Sequence, residues 1–174
     1  MEIAEVGAAR TNAVALGLPD TFATEFERLY EHAYRAAYRL LGVQLEAERV
    51  AQEACARGGA RWSRLTRRGA AEPWVVRVAT ELAIEQYQLR QRSQRRSAGV
   101  PGLVERLDRR RVALHRALNQ LPPREREVVV LRYVADLNEA DTAAAIGCST
   151  RTVNRHATRG LAALRAALGE EHAP

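Results

Sequence analysis

The stretch NEADTAAAIGCSTRTVNRHATRGLAALR, residues 138–165, decides the fold of the C-terminal half of the chain. Its apolar pattern predicts a helix over 139–146, a tight turn and a second helix. Gly147 follows the last apolar residue of the first helix, where a helix end often requires a positive φ. Ser149 or Thr150 can cap the second helix by accepting a bond from an unpaired backbone N–H. The stretch therefore predicts a helix-turn-helix.

The second helix of this pair has two chemically different faces. One face is apolar and is expected to lie against a core; its members are Val153, Ala157, Leu161, Leu164 and Leu168. The opposite face offers guanidinium and amide groups, the donors suited to phosphates and to base edges in the major groove of DNA. Its members are Arg151, Asn154, Arg155, Thr158 and Arg159. A solvated face of an ordinary helical hairpin is the alternative interpretation.

The composition favours an all-α protein. The 174 residues suffice for one medium domain or two small ones. Alanine, leucine, arginine and glutamate are abundant, and all four favour helices. Strand-like runs are nearly absent from the sequence. No stretch approaches the ~20 apolar residues of a membrane span, and the N-terminus lacks an apolar run of signal-peptide length. We therefore expect a cytoplasmic protein.

The charge favours a polyanionic partner. The formal net charge is +6 and the isoelectric point is about 10.1, which points to nucleic acid first and to a membrane surface second. Every basic residue is an arginine, whose fork of donors suits phosphate. The positive charge is concentrated in residues 51–111, whereas residues 1–50 are net acidic.

Two cysteines, Cys55 and Cys148, give no reason to expect a disulfide or a metal site, and we interpret both as small buried thiols. Cys148 could in principle bind a metal with His115 and His156, but the spacing does not match structural zinc sites. The sequence also lacks a glycine-rich phosphate loop and a nucleophile paired with a base. We expect neither an enzyme nor a cofactor.

Helical patterns divide the chain into two units, so we predict an all-α fold of two small helical domains joined by a flexible linker. Residues 1–20 are predicted to be a flexible tail, 21–96 the first domain, 97–111 the linker and 112–174 the second domain, which contains the helix-turn-helix. Each domain is small, so each core is expected to be marginal. Besides the helix-turn-helix, the predicted helices cover 22–41, 46–62, 72–96, 112–119 and 124–133.

Both halves resemble one protein family. Residues 121–168 are similar to region 4 of the bacterial sigma-70 family, and especially to its short extracytoplasmic-function (ECF) group. The most distinctive pieces are LPPRERE at 121–127 and Leu-Arg-Tyr at 131–133. The segments that resemble region 2, in the family's order, are FERLYEHAYRAAYRLLG (26–42), EAERVAQEACAR (46–57) and EPWVVRVATELAIEQ (72–86).

This resemblance implies a transcription initiation factor. Such proteins bind core RNA polymerase through its β and β′ subunits and direct it to promoters. Region 4 reads the −35 element as duplex DNA. Region 2 holds β′, recognises the −10 element and captures unpaired bases, and the linker threads the polymerase interior. The family also suggests an anti-sigma factor as a partner, although no residue identifies one.

Position within the family implies roles for individual residues. Arg151, Thr152, Asn154, Arg155, Thr158 and Arg159 match the −35 recognition helix. Arg77, Thr80, Glu81, Glu85 and Gln88 match the helix face near the −10 strand. Glu46, Glu48, Gln52 and Glu53 match the acidic helix that meets β′. Single-strand capture requires positive charge and aromatic faces, which adds Arg64, Arg67, Arg68 and Arg92, with Trp62, Trp74 and Tyr87 as stacking candidates. Core packing is the alternative interpretation of these aromatic residues.

Four positions depart from the family pattern. Arg49 stands where an acidic residue is usual, and Cys55 and Gly59 where large apolar residues are usual. These departures weaken the inference of ordinary polymerase docking, and whether they impair docking stays open. Glu81 replaces an asparagine. A carboxylate can accept from a cytosine amine but repels phosphate, so the −10 readout is expected to differ. Two alternatives therefore stay open: a degenerate sigma-like regulator or decoy without efficient promoter opening, and a plain helix-turn-helix regulator with an N-terminal bundle.

Overall fold

The computed structural model describes residues 20–96 and 105–170, and within these ranges it contains helices and turns but no strand. The all-α prediction is confirmed. Residues 1–19, in the predicted tail, and 97–104, in the predicted linker, lie outside the described residues. The helices are α1 (Asp20–Leu41), α2 (Gln44–Gly59), α3 (Trp62–Thr66), α4 (Ala71–Arg96), α5 (Glu105–Gln120), α6 (Pro123–Val129), α7 (Glu139–Ile146) and α8 (Thr150–Glu170).

Two compact units meet at a boundary between Ala83 and Ile84, within α4. The sequence interpretation ended the first domain at residue 96 instead, and that division stays a prediction.

In the first unit, α1 packs against α2 around a core of large apolar side chains. The fully buried ones are Phe22, Leu29, Leu40, Leu41, Val75 and Val76. Helix α1 begins at Asp20, earlier than the predicted Phe22. Thr21 is of a residue type that often caps the start of a helix, but its hydroxyl accepts a 2.7 Å bond from the indole N–H of Trp62. A contact across the core has therefore replaced the local cap.

No helix was predicted between residues 62 and 72, but most of the short helix α3 lies in this arginine-rich segment. Trp62 and Leu65 are both buried, and one helical turn places them on the same side. The hydroxyl of Thr66 donates to the carbonyl of Trp62 at 2.9 Å and closes the turn. The segment reverses at Gly69, which has a φ of 59°. Burial of two apolar side chains explains why a segment rich in exposed arginines is helical.

In the second unit, the predicted linker extends too far toward the C-terminus. Residues 105–111 were assigned to it, but they form the first turns of α5. This part of the sequence is dominated by arginine, leucine and glutamate, which are strong helix formers. The helix predicted over 112–119 therefore starts seven residues earlier, at Glu105.

Helix α6 continues into a widened, π-helical turn at Val130–Val134. The backbone N–H of Ala135 donates to the carbonyl of Val130 at 2.9 Å, and that of Leu137 donates to Leu131 at 3.0 Å. An α-helix was predicted through residue 133. The wider turn keeps Val130, Leu131 and Leu137 buried while the chain reverses.

The helix-turn-helix forms as predicted. Helix α7 is capped by the side chain of Asn138, which accepts from the backbone N–H of Asp141 at 2.8 Å. Gly147 ends it with a φ of 71°. The hydroxyl of Ser149 accepts from the N–H of Thr152 at 3.2 Å and caps α8. The core between these helices and α6 consists of Val128, Ala143, Val153 and Ala157.

Candidate nucleic-acid interface

The polar face of α8 is exposed as predicted. Burial of Val153, Ala157 and Leu164 fixes the rotation of the helix, and Leu161 and Leu168 are partly buried on the same side. Five of the six predicted −35 residues are exposed, and Thr152 is half-buried. Within the described part of the chain, the arginines at 151, 155 and 159 form no ion pair. Their guanidinium groups can therefore bind phosphate or guanine without first breaking an internal bond.

One member of this face is held by a residue that the sequence interpretation missed. The side-chain amide of Asn154 donates through Nδ2 to Oε2 of Glu139 at 3.0 Å. The other carboxylate oxygen of Glu139 lies 4.0 Å from a guanidinium nitrogen of Arg132. Glu139 is the first residue of α7, fifteen positions before Asn154, so no local sequence pattern connects them.

In the first unit, the −10 candidates fall into two groups. Arg64, Arg67 and Arg68 are exposed on α3 and the turn after it. On α4, a guanidinium nitrogen of Arg77 lies 2.7 Å from the carboxylate of Glu81, so each charge partly offsets the other. Glu81 remains half exposed.

Thr80 is misplaced in the predicted −10 face. It is only 3% exposed, and its hydroxyl donates to the backbone carbonyl of Arg77 at 2.8 Å. Val76 and Thr80 are buried on α4 as well as Val75 and Ala79. The middle of α4 is thus covered over more of its circumference than the sequence indicates.

Trp62 and Trp74 have different environments. Trp62 is 5% exposed, and its ring meets that of Phe22 edge to face at 5.1 Å, so it belongs to the core. Trp74 is half-buried, and the guanidinium carbon of Arg61 lies 5.5 Å from its ring centre. Trp74 is therefore the tryptophan whose surface can still meet a base.

In the second unit, the end of α4 carries the last three −10 candidates. Glu85 and Arg92 are exposed. The amide of Gln88 donates to the side-chain oxygen of Asn119 at 3.0 Å. Tyr87 is 4% exposed and stacks on His115 with ring centres 3.5 Å apart, so its ring is not open to a base. The nine −10 candidates thus divide between the two units, six in the first and three in the second.

The four polymerase candidates lie on α2. Gln52 and Glu53 are exposed, and Glu46 and Glu48 are half-buried. Helical spacing places Glu48 and Gln52 along one edge of the exposed face and Glu46 and Glu53 along the other. Exposed Arg49 lies between these edges. Its positive charge therefore interrupts the acidic surface.

An aromatic row on α1 borders this surface, and we call it the tyrosine ladder: Phe26, Tyr30, Tyr34 and Tyr38. Successive ring centres are 5.9, 6.3 and 5.9 Å apart, and each pair is stacked. The pKa of Tyr34 is raised by burial and by the negative charge of Glu48, which places the ladder beside α2. Their spacing of four residues in the sequence is the signal for such a continuous row on one face of a helix.

Apolar residues continue this surface. Tyr38 is 43% exposed, and Val43 and Leu45, at the start of α2, are 40% and 65% exposed. Contiguous exposed apolar side chains often mark an interaction surface.

Cys55 and Gly59, two of the departures from the family pattern, lie on the buried face of α2. Burial raises the pKa of the Cys55 thiol to about 12. A Cβ on the neighbouring Gly58 would lie 2.7 Å from Cγ2 of Val75, so α2 approaches α4 closely here. The small residues therefore shape the core rather than the exposed face of α2.

Both cysteines are free thiols, and the described residues hold no group of three or more side chains that could bind a metal. Within the same residues, no helix is long and apolar enough to cross a membrane.

Comparisons with known proteins agree with this arrangement. Residues 26–95 match the family model described as sigma-70 region 2, and residues 111–164 match the one described as sigma-70, region 4. The chain is 31% identical over 137 residues to an RNA polymerase sigma-E factor of Streptomyces coelicolor, covering 75% of this chain and 76% of that protein. The chain belongs to the sigma-70 family. This sigma factor is also 27% identical to the ECF RNA polymerase sigma factor SigW of Bacillus subtilis over 175 residues, 90% of this chain and 93% of that protein.

Among solved structures, the sigma factor resembles RpoE of Bartonella quintana, crystallised in complex with the anti-sigma factor NepR. The TM-score is 0.54 at 21% identity, over 87% of this chain and 98% of that one, which shows a shared fold. The predicted membership of the ECF group is confirmed. The protein is a transcription initiation factor that directs RNA polymerase to promoters.

Proposed function

We propose that this sigma factor reads the −35 element with α8, contacts the −10 element with α3 and α4, and docks on core RNA polymerase through α2 and the tyrosine ladder. The observation that carries the proposal is the polar face of α8. Three arginines that form no ion pair within the described residues, and one amide, lie on the exposed side of the second helix of a helix-turn-helix. The second helix of this motif enters the major groove in DNA-binding proteins.

The −10 assignment is supported by the exposed arginines at 64, 67 and 68, which offer phosphate contacts, and by half-buried Trp74. Glu81 and Arg77 form a pair on the neighbouring surface of α4. A carboxylate that is neutralised by an arginine repels DNA phosphates less than a lone one. Glu81 can then accept from a cytosine amine with less repulsion from the DNA phosphates than its charge suggests.

The polymerase assignment is supported by charge and by apolar exposure. Acidic side chains on α2 favour a basic surface on the partner. Tyr38 on α1 and Val43 and Leu45 at the start of α2 add exposed apolar area. Aromatic side chains are enriched at the energetic centre of protein interfaces, and polar and charged side chains surround them at the rim. By analogy with the complexed relative, the same surface would suit an anti-sigma factor, which would then compete with polymerase.

Runoff transcription with core RNA polymerase on a panel of promoter templates tests the proposal. A specific product that requires the sigma factor is the expected result. Association with polymerase without a product would favour the degenerate regulator. Protection of duplex DNA by the protein alone, with no association with polymerase, would favour the plain helix-turn-helix regulator.

Charge reversal at Glu53 tests the docking surface separately. The variant Glu53→Arg is expected to weaken association with core polymerase, and the isosteric Glu53→Gln is expected to weaken it less. Added salt should narrow the difference in affinity between these variants and the wild type, because exposed charges are screened. Equal affinity of all three proteins at low salt would remove α2 from the docking surface.

A further inference from the structure

The position of Glu139 beside the DNA-facing side chain of Asn154 suggests a role in promoter selection. Glu139 is 46% exposed on its side chain and begins α7. Its Oε2 accepts the 3.0 Å bond from Nδ2 of Asn154, on α8. The bond therefore joins the two helices of the motif at the surface where DNA is proposed to bind.

This contact fixes which way the Asn154 amide faces. An ionised carboxylate can only accept hydrogen bonds, so Glu139 must meet the NH₂ group, and the carbonyl oxygen of Asn154 must face away from it. The amide is planar, and one N–H is used by Glu139. The second N–H and Oδ1 remain, and within the described residues neither has another partner. In a planar amide, Oδ1 and the N–H on its side lie next to each other in one plane, and this pair stays open when Glu139 accepts from the N–H on the other side of the nitrogen.

A side-by-side donor and acceptor match the major-groove edge of adenine, where N7 accepts and the N6 amine donates. The opposite orientation of the amide would exchange the two groups in space and lose this match. A freely rotating asparagine populates both orientations and pays the cost of ordering on binding. The bond to Glu139 removes much of that cost before DNA arrives.

The negative charge of Glu139 would by itself disfavour nearby phosphates, and Arg132 offsets it. A guanidinium nitrogen of Arg132 lies 4.0 Å from Oε1 of Glu139. Arg132 is itself anchored, because it donates to the carbonyl of Leu137 and its guanidinium carbon lies 5.8 Å from the ring centre of Tyr133. Arg132, Glu139 and Asn154 thus form a chain of contacts that begins at an anchored cation and ends at the amide proposed to read a base.

We propose that Glu139 is a specificity-determining residue that orients Asn154 toward an adenine in the −35 element. Glu139 acts through Asn154 as a positioning residue and need not touch DNA. The inference rests on the proposed reading of the −35 element by α8.

The test is selection of duplex DNA, randomised across the −35 region, by holoenzyme assembled from core RNA polymerase and the full-length sigma factor. Wild type is expected to select a −35 motif with an adenine that Asn154→Ala loses, with a drop in preference of roughly tenfold. Glu139→Ala should weaken the preference at that same position by several-fold and leave the other positions unchanged. Glu139→Gln should largely retain it, because the glutamine carbonyl can still accept from Nδ2.

Three results would overturn the inference. The first is that Glu139→Ala keeps the adenine preference, and the second is that it lowers affinity equally for all sequences. The third is that it loses a preference for cytosine at another position, which would mean that Glu139 itself reads a base. Thermal unfolding of each variant identifies any loss of affinity caused by unfolding. Selection of no −35 motif by the wild-type holoenzyme would instead contradict the proposed function.

Discussion

Replacement of Gly160 by alanine tests how closely α8 is packed against α6. Gly160 is buried, and a Cβ there would lie 2.6 Å from Cγ2 of Val129 and 3.3 Å from the backbone carbonyl oxygen of Glu125. Carbon atoms in favourable contact are about 3.5–4.0 Å apart, so one of the groups must move by about 1 Å. Val129 is 2% exposed and β-branched, with one strongly preferred rotamer in a helix, and cannot swing aside.

Two effects of opposite sign set the magnitude. Alanine is favoured over glycine in a helix by about 1 kcal/mol, whereas forcing an extra methyl group into a packed core costs about 1–3 kcal/mol. We expect a net decrease of about 1 kcal/mol in the free energy of unfolding, or roughly 4–8 °C in Tm for a unit of this size. Urea and thermal unfolding of the full chain, followed by circular dichroism, measure it.

Two further variants separate the effects. Ala162→Gly, at an exposed position of α8, should cost about 1 kcal/mol through helix propensity alone. In a Val129→Ala background, where Cγ2 is missing, Gly160→Ala should become stabilising by about the same amount. If Gly160→Ala stabilises the otherwise wild-type protein, then α8 and α6 are not packed as closely as described and the reasoning is wrong.

Three other predictions concern the DNA-binding surfaces and the thiols. Arg151→Ala or Arg155→Ala should weaken binding to the −35 element by about 1–3 kcal/mol if the lost contact is bidentate to a base. If the lost contact is to phosphate, the salt dependence of binding should instead become flatter for all sequences alike. Quantitative footprinting with holoenzyme measures the binding, and unchanged binding in both variants would exclude the polar face of α8 from recognition. Glu81→Asn should increase runoff product, because it removes a negative charge from the −10 surface, and an unchanged yield would remove Glu81 from that contact. Cys55, whose pKa is raised from 9.0 to about 12, should resist thiol reagents at pH 8 while half-buried Cys148 reacts, and a titration that finds two fast-reacting thiols would contradict the burial of Cys55. The free energy of unfolding should fall as the pH rises from about 9 toward 12, because only the thiol of the unfolded chain ionises in that range.

The helix-turn-helix could be predicted residue by residue because its signals are local. The positive φ of Gly147, the cap at Ser149 and the spacing of Val153 and Ala157 depend on neighbours within one or two turns. The helices of region 2 carry fewer such local signals, and their assignment came from the family resemblance.

Contacts between distant parts of the chain could not be predicted in this way. Thr21 accepts from Trp62 across forty-one positions instead of capping its own helix. Thr80 is buried because α4 is covered on more sides than its apolar stripe indicates. Glu139 meets Asn154 only after the motif has folded. In each case a tertiary partner has replaced or redirected the locally expected role of a polar side chain.

The stacked rings of α1 also give the molecule an intrinsic optical probe. Phe22, one turn before the ladder, touches both Phe26 and Trp62, with ring centres 5.8 and 5.1 Å away. Light absorbed by the three tyrosines can pass to the nearby indole through dipole coupling, which weakens steeply with distance. Trp62 is enclosed in an apolar environment. The excitation spectrum of its emission should therefore contain a contribution from tyrosine absorption. A ligand that covers Tyr38 would change that signature, so occupancy of this side of α1 can be followed without attaching a dye.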